Sequence, residues 1–146
     1  MRLSSPLLLL CGLLVSLSPA PAAPPQTGSP GATSSSVMQT PTNLTPTEAE
    51  SLIHASSDLV VIDVRTQEEF AEGHIAGAKN VNFNSPTFGE QMKAFAGKKV
   101  LLHCASGGRS TRALASLAAM PFEKLYHLNK GFNAWVEAGK PVSTKP

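Results

Sequence analysis

Cys104 closes an apolar run and opens the stretch VLLHCASGGRSTRAL, Val100 to Leu114. Between the thiol and Arg109 stand Ala105, Ser106, Gly107 and Gly108. The two glycines lack Cβ atoms, so they allow positive φ and let successive backbone N–H groups converge on one point. The residues from Arg109 onward read as a helix, whose N-terminus adds partial positive charge and unpaired donors. Arg109 adds a full charge and a fork of N–H groups. Such a field lowers the pKa of a thiol and stabilises an anion that grows on the sulfur. The expected chemistry is covalent catalysis by a cysteine through an anionic, sulfur-linked intermediate. The expected site is Cys104 as nucleophile, with Ala105, Ser106, Gly107, Gly108, Arg109 and Ser110 as the cradle for the reactant.

Loop length separates two anion chemistries. A protein tyrosine phosphatase loop has five residues between cysteine and arginine, whereas four separate Cys104 from Arg109, and Arg112 comes too late. A loop one residue short suits a smaller guest than a tetrahedral phosphate, such as one extra sulfur atom on the cysteine.

Elements that would hold this loop follow from the pattern of apolar residues. Thr45-Pro46-Thr47-Glu48 is a capping box with proline at the first helical position, and predicts a helix to about Ala55. Leu59 to Ile62 is a continuous apolar run suited to a strand buried on both faces, ended by Asp63-Val64-Arg65. Thr66 can cap a short helix from Gln67 to Ala71. Asn80 to Phe83, Lys99 to His103 and Lys124 to Leu128 read as strands. Phe88 to Phe95, Arg109 to Ala119 and Phe132 to Ala138 read as helices. This alternation predicts an α/β domain with a central, mostly parallel five-stranded sheet, helices on both faces and right-handed crossovers. Active sites of such sheets lie beyond the carboxyl ends of the strands, where Cys104 falls.

The N-terminal part is different material. No charged residue occurs from Leu3 to Thr47. Met1-Arg2, the apolar run Leu7 to Leu17 and the small-x-small tripeptide Ala20-Pro21-Ala22 predict a signal peptide over residues 1–22, too short to span a bilayer. A Pro-, Ser-, Thr- and Gly-rich linker is expected over residues 23–44, and one folded domain over residues 45–146. The expected compartment is the periplasm, with secretion as the other outcome and no stable membrane insertion after cleavage. The formal charge of the 146-residue chain is only +2, which gives no electrostatic case for nucleic acid. Cys11 would leave with the signal, so Cys104 would be a lone thiol in an oxidising compartment.

Three motifs in order resemble the single-domain rhodaneses, which are sulfurtransferases. They are the six-residue loop Cys104 to Arg109, the segment VIDVRTQEEFAEGHIAGAKNVNF (Val61 to Phe83), and LNKGFNAWVEAGKPV (Leu128 to Val142). Lys130 departs from the pattern, standing where the family usually has the first of two glycines. The resemblance implies a rhodanese-like domain that moves sulfur in two steps. Cys104 takes the outer sulfur of a donor such as thiosulfate as a persulfide, held by loop amides from Ala105 to Ser110. A thiol or cyanide then removes it. Arg109 would bind the small anionic donor, without metal or organic cofactor, in a protein expected to be a monomer.

Other residues read as supporting structure. His103 should point away from Cys104 across the strand, and His74 should fix the loop after the second helix. His54 and His127 show no metal-ligand spacing with cysteine. Asp63, Arg65 and Glu69 read as one ion-pair and capping network, with a minor substrate role for Arg65 as the other reading, and Trp135 reads as core. The competing functions are a phosphatase or arsenate reductase on the same fold, and a non-catalytic sulfur- or anion-binding module.

Overall fold

The computed structural model describes residues 39–145. The expected signal peptide and most of the expected linker lie outside the described residues. Elements follow in the order β1 (Thr42–Leu44), α1 (Pro46–Ala55), β2 (Leu59–Asp63), α2 (Gln67–Glu72), β3 (His74–Ile75), β4 (Lys79–Asn80), α3 (Phe88–Lys93), β5 (Lys99–His103), α4 (Gly108–Leu117), β6 (Lys124–Leu128), α5 (Gly131–Glu137) and β7 (Val142–Ser143). The main sheet has the order β1-β6-β5-β2-β4 and every pairing in it is parallel. β3 and β7 form a separate antiparallel pair.

Strand alternation divides the interior into two cores. Ile62, Val100, Leu102 and Leu125 face one side of the sheet, with Phe88 and Met92 of α3 and Ala113, Leu114 and Leu117 of α4. Val61, Leu101 and Leu128 face the other, with Ala49 of α1 and Trp135 of α5. Both faces of β2 and β5 are therefore covered, which is why these strands read as unbroken apolar runs. Each central strand then carries one helix layer on each side, and β5 delivers Cys104 to the edge of the α4 layer.

Local chemistry starts the helices where the sequence predicts. Thr45 and Glu48 close a reciprocal capping box on α1, and Thr66 and Glu69 close a second on α2. Two expectations need correction. The linker does not extend to residue 44, because Thr42–Leu44 pairs with Tyr126–Leu128 as the edge strand β1. The strand expected over Asn80 to Phe83 forms its ladder at Lys79–Asn80. The chain beyond stays alongside, with Val81 N donating to Asp63 O and Phe83 N to Val64 O, but β2 has ended there and no regular ladder continues.

Candidate active site

The loop after β5 is shaped from both ends. At its far end Gly107 has φ +100°, and a Cβ there would lie 2.0 Å from the Asn129 carbonyl oxygen. Only glycine combines that torsion with that approach. The Gly107 carbonyl accepts from Thr111 N at 2.9 Å and from Thr111 Oγ1 at 2.9 Å, and Ser110 Oγ lies 3.0 Å from it. At its near end the carbonyls of Cys104 and Ala105 turn outward to the start of α5. Phe132 N donates to Cys104 O at 2.7 Å and Asn133 N to Ala105 O at 2.9 Å. With its carbonyls so engaged, the loop is free to present amides inward.

Those amides meet the thiol. Gly107 N–H donates to Cys104 Sγ at 3.1 Å, and Ser110 Oγ lies 3.4 Å from the same sulfur. Burial pushes the Cys104 pKa up. The Ser110 hydroxyl and the backbone N–H groups of Ser110, Gly107 and Ser106 outweigh it, and the net direction is down. Cys104 is 1% exposed, so the loop covers its sulfur.

Of the residues expected to cradle Cys104, Ser106, Gly107 and Ser110 turn hydrogen-bond donors toward its sulfur, and Gly108, Arg109 and Ser110 are placed differently from the expectation. Gly108 is exposed, starts α4 without a left-handed torsion and would accept a Cβ without contact, so Gly107 alone carries the turn. Arg109 is not a free cation. Its Nη1 and Nη2 fork onto Glu69 at 2.6 and 2.7 Å, and this pair holds the Glu69 carboxyl down to about 2. Ser110 contributes its hydroxyl as well as its amide.

The network expected among Asp63, Arg65 and Glu69 separates into two. Arg65 Nη2 reaches Asp63 Oδ2 at 2.7 Å and the Gly73 carbonyl at 2.6 Å, and its guanidinium lies 4.2 Å from the Phe132 ring centroid. Every partner of this buried arginine is structural. Glu69 caps α2 and turns to Arg109 instead.

His103 points to the opposite face from Cys104, as strand alternation requires. It is fully buried, held neutral by that burial, and its Nε2 has no hydrogen-bond partner among the described residues. His74 lies between the carbonyls of Phe70 and Lys145 and stacks on the Phe70 ring. Trp135 is core, donating Nε1–H to Pro141 O. Lys130 takes φ −92°, ψ 4°, a conformation open to any residue. Gly131 bears the constraint, with φ +65° and a Cβ position 2.5 Å from the Cys104 carbonyl oxygen. The second glycine of the pattern is the one the packing needs.

His127 is the residue that sequence reasoning missed. Its Nε2 lies 2.8 Å from Ser110 Oγ. The signal was present in the strand pairing: Leu102 of β5 aligns with His127 of β6, so His127 shares the face that carries Leu102 and Cys104. That inference requires the register, which spacing alone does not supply.

The family model described as the rhodanese-like domain matches residues 45–138. The chain belongs to the rhodanese-like domain family. It is 35% identical over 92 residues to thiosulfate sulfurtransferase 16, chloroplastic, of Arabidopsis thaliana, covering 56% of this chain and 77% of that rhodanese relative. Thiosulfate sulfurtransferase GlpE of Ectopseudomonas mendocina is 32% identical over 92 residues, covering 63% and 82%. Among solved structures, a rhodanese-related protein of Thermoplasma volcanium superposes with a TM-score of 0.60 at 25% identity, covering 71% of this chain and 99% of that one. A rhodanese-like sulfurtransferase domain is thus the setting of the Cys104 loop, and the sheet described above is its fold.

Proposed function

We propose that the protein transfers a sulfane sulfur from a small anionic donor such as thiosulfate to a thiophilic acceptor, a thiol or cyanide, through a persulfide on Cys104. The observation that carries this reading is the Cys104 sulfur held by Gly107 N–H and Ser110 Oγ inside a loop of four residues between cysteine and arginine. The Cys104 thiolate attacks the outer sulfur of thiosulfate. Its S–S bond breaks and sulfite leaves with the electron pair. The new persulfide stays within reach of the same donors that hold the thiolate. Cyanide or a thiolate then attacks the outer sulfur, the Cys104–sulfur bond breaks, and the thiolate returns. Arg109 is paired with Glu69, and the positive potential for the donor comes from Arg109 as tempered by that carboxylate. Thiosulfate sulfurtransferases among the relatives support the same reaction class.

The apolar run Leu7 to Leu17 and the tripeptide Ala20-Pro21-Ala22 support a protein that works after export, in the periplasm. Intact mass of the purified protein tests the chemistry. Thiosulfate should add one sulfur atom to wild type and none to Cys104→Ser, and cyanide should remove it as thiocyanate. A folded wild-type protein with a free thiol that gains no sulfur overturns the reading, and turnover of an aryl phosphate or arsenate would replace it.

A further inference from the structure

Behind the Cys104 loop runs a line of polar groups that sulfur transfer, as written above, leaves unused. Asn43 Oδ1 lies 3.0 Å from His127 Nδ1, His127 Nε2 lies 2.8 Å from Ser110 Oγ, and Ser110 Oγ lies 3.4 Å from Cys104 Sγ. The four residues come from β1, from β6 and from the junction of the loop with α4.

Donor accounting gives the line a direction. An amide oxygen only accepts, so His127 Nδ1 carries the hydrogen and a neutral imidazole keeps its lone pair on Nε2. Ser110 has one hydroxyl hydrogen, and Nε2 is the nearest of its three acceptors, ahead of the Gly107 carbonyl and the sulfur. A Ser110 lone pair is then left for the thiol S–H.

We propose that Cys104, Ser110, His127 and Asn43 form a proton relay that ionises the thiol. The S–H bond breaks as its hydrogen passes to Ser110 Oγ, and the Ser110 O–H bond breaks as its hydrogen passes to His127 Nε2. The electron pair stays on sulfur, and the new Ser110 hydrogen points back at the thiolate. Asn43 Oδ1 accepts the Nδ1 hydrogen and fixes the ring, and that hydrogen then passes to solvent in the groove that Asn43 also lines, which leaves His127 neutral with its hydrogen on Nε2. Ser110 touches the reacting atom, whereas His127 and Asn43 act through it as positioning residues.

The surroundings allow the proton to leave. His127 borders a surface groove of about 360 Å³ lined also by Gln39, Pro41, Thr111, Ala115 and Asn129. The groups that face the imidazole are Asn43 from β1 and, from the α4 side, Ser110 and through it Cys104, while His103, which burial keeps uncharged, lies on the opposite face of β5.

The relay rests on Cys104 as the reacting group, and its test reads that thiol directly. Rates of Cys104 alkylation by iodoacetamide would be followed by mass against pH in wild type, His127→Gln, Ser110→Ala and the double variant. Each single variant should move the profile up by about one pH unit, a roughly tenfold slower reaction at neutral pH. The plateau rate at high pH should stay unchanged, and the double variant should move no further than the larger single shift. Asn43 is exposed on an edge strand, so Asn43→Ala keeps the test open should His127→Gln fail to fold, and it should shift the profile the same way. A His127→Gln or Asn43→Ala profile that superimposes on wild type, or additive single shifts, overturns the relay. A shifted profile in a protein that gains no sulfur from thiosulfate would uphold the relay and overturn sulfur transfer.

Discussion

Arg109, the last residue of the Cys104 loop, and Glu69 of α2 meet as a two-pronged pair, Nη1 to Oε2 at 2.6 Å and Nη2 to Oε1 at 2.7 Å. The arginine that an anionic donor would meet thus already holds an anion of the protein's own. Glu69→Gln keeps an acceptor for α2 capping and removes the charge. The KM for thiosulfate should fall about threefold at low salt, with the gain shrinking as salt screens it. Steady-state kinetics at two ionic strengths would check this, and an unchanged or higher KM would count against it.

The same pair sets an acid limit. The Glu69 carboxyl is held down to about 2 in the folded protein, below its value in the unfolded chain. Its contribution to stability is therefore complete above about pH 4.5 and is lost as pH falls from there toward 2. Urea midpoints across that range should fall more steeply for wild type than for Glu69→Gln.

Burial depresses the pKa of His103, and His127 shifts the same way. A depressed histidine stabilises the fold above its unfolded value of about 6.5, and that stability is lost as pH falls below it. Urea midpoints should therefore decline between pH 7.5 and 5.5, and His103→Gln should flatten the decline. A midpoint independent of pH over that interval would refute it.

Glycines near the site should differ sharply. Gly107→Ala meets both a left-handed torsion and the Asn129 carbonyl, and should cost about 3 kcal/mol or more. Gly108→Ala meets nothing and should leave thermal stability within about 0.5 kcal/mol of wild type. Thermal unfolding of the two variants measures the contrast directly.

Arg65→Met should act on the fold and not on the donor. It strips Asp63, fully buried, of its cation, a loss of about 3 kcal/mol. Donor affinity of the folded fraction should match wild type. A raised KM with normal stability would restore the substrate role.

Much of the fold was legible because its signals are local. β5 and β6 match their apolar runs residue for residue, and β2 runs one residue past its own to Asp63, since strands covered on both faces need no polar alternation. The α1 and α2 starts follow from threonines three residues before glutamates. β1 was not legible because Thr42–Leu44 has a single apolar residue and is held by the backbone of β6. The β3–β7 pair is two residues long on each side and leaves no period to detect. At the site, cysteine, glycines and arginine announced themselves by proximity in sequence. Glu69 and His127 did not, because each reaches the loop across the fold, and charge or imidazole carries no mark of its distant partner.

Phe132 and Asn133 hold the Cys104 and Ala105 carbonyls, and Gly131 packs against them. The cradle is therefore finished by residues that leave the ribosome well after the thiol it serves. Until β6 has joined the sheet and α5 has docked, a nascent chain carries Cys104 as an ordinary sulfhydryl with no amide ring around it. Reactivity at this cysteine is a report that the last βα unit has arrived, and a chain stalled short of Asn133 would hold the nucleophile without its chemistry.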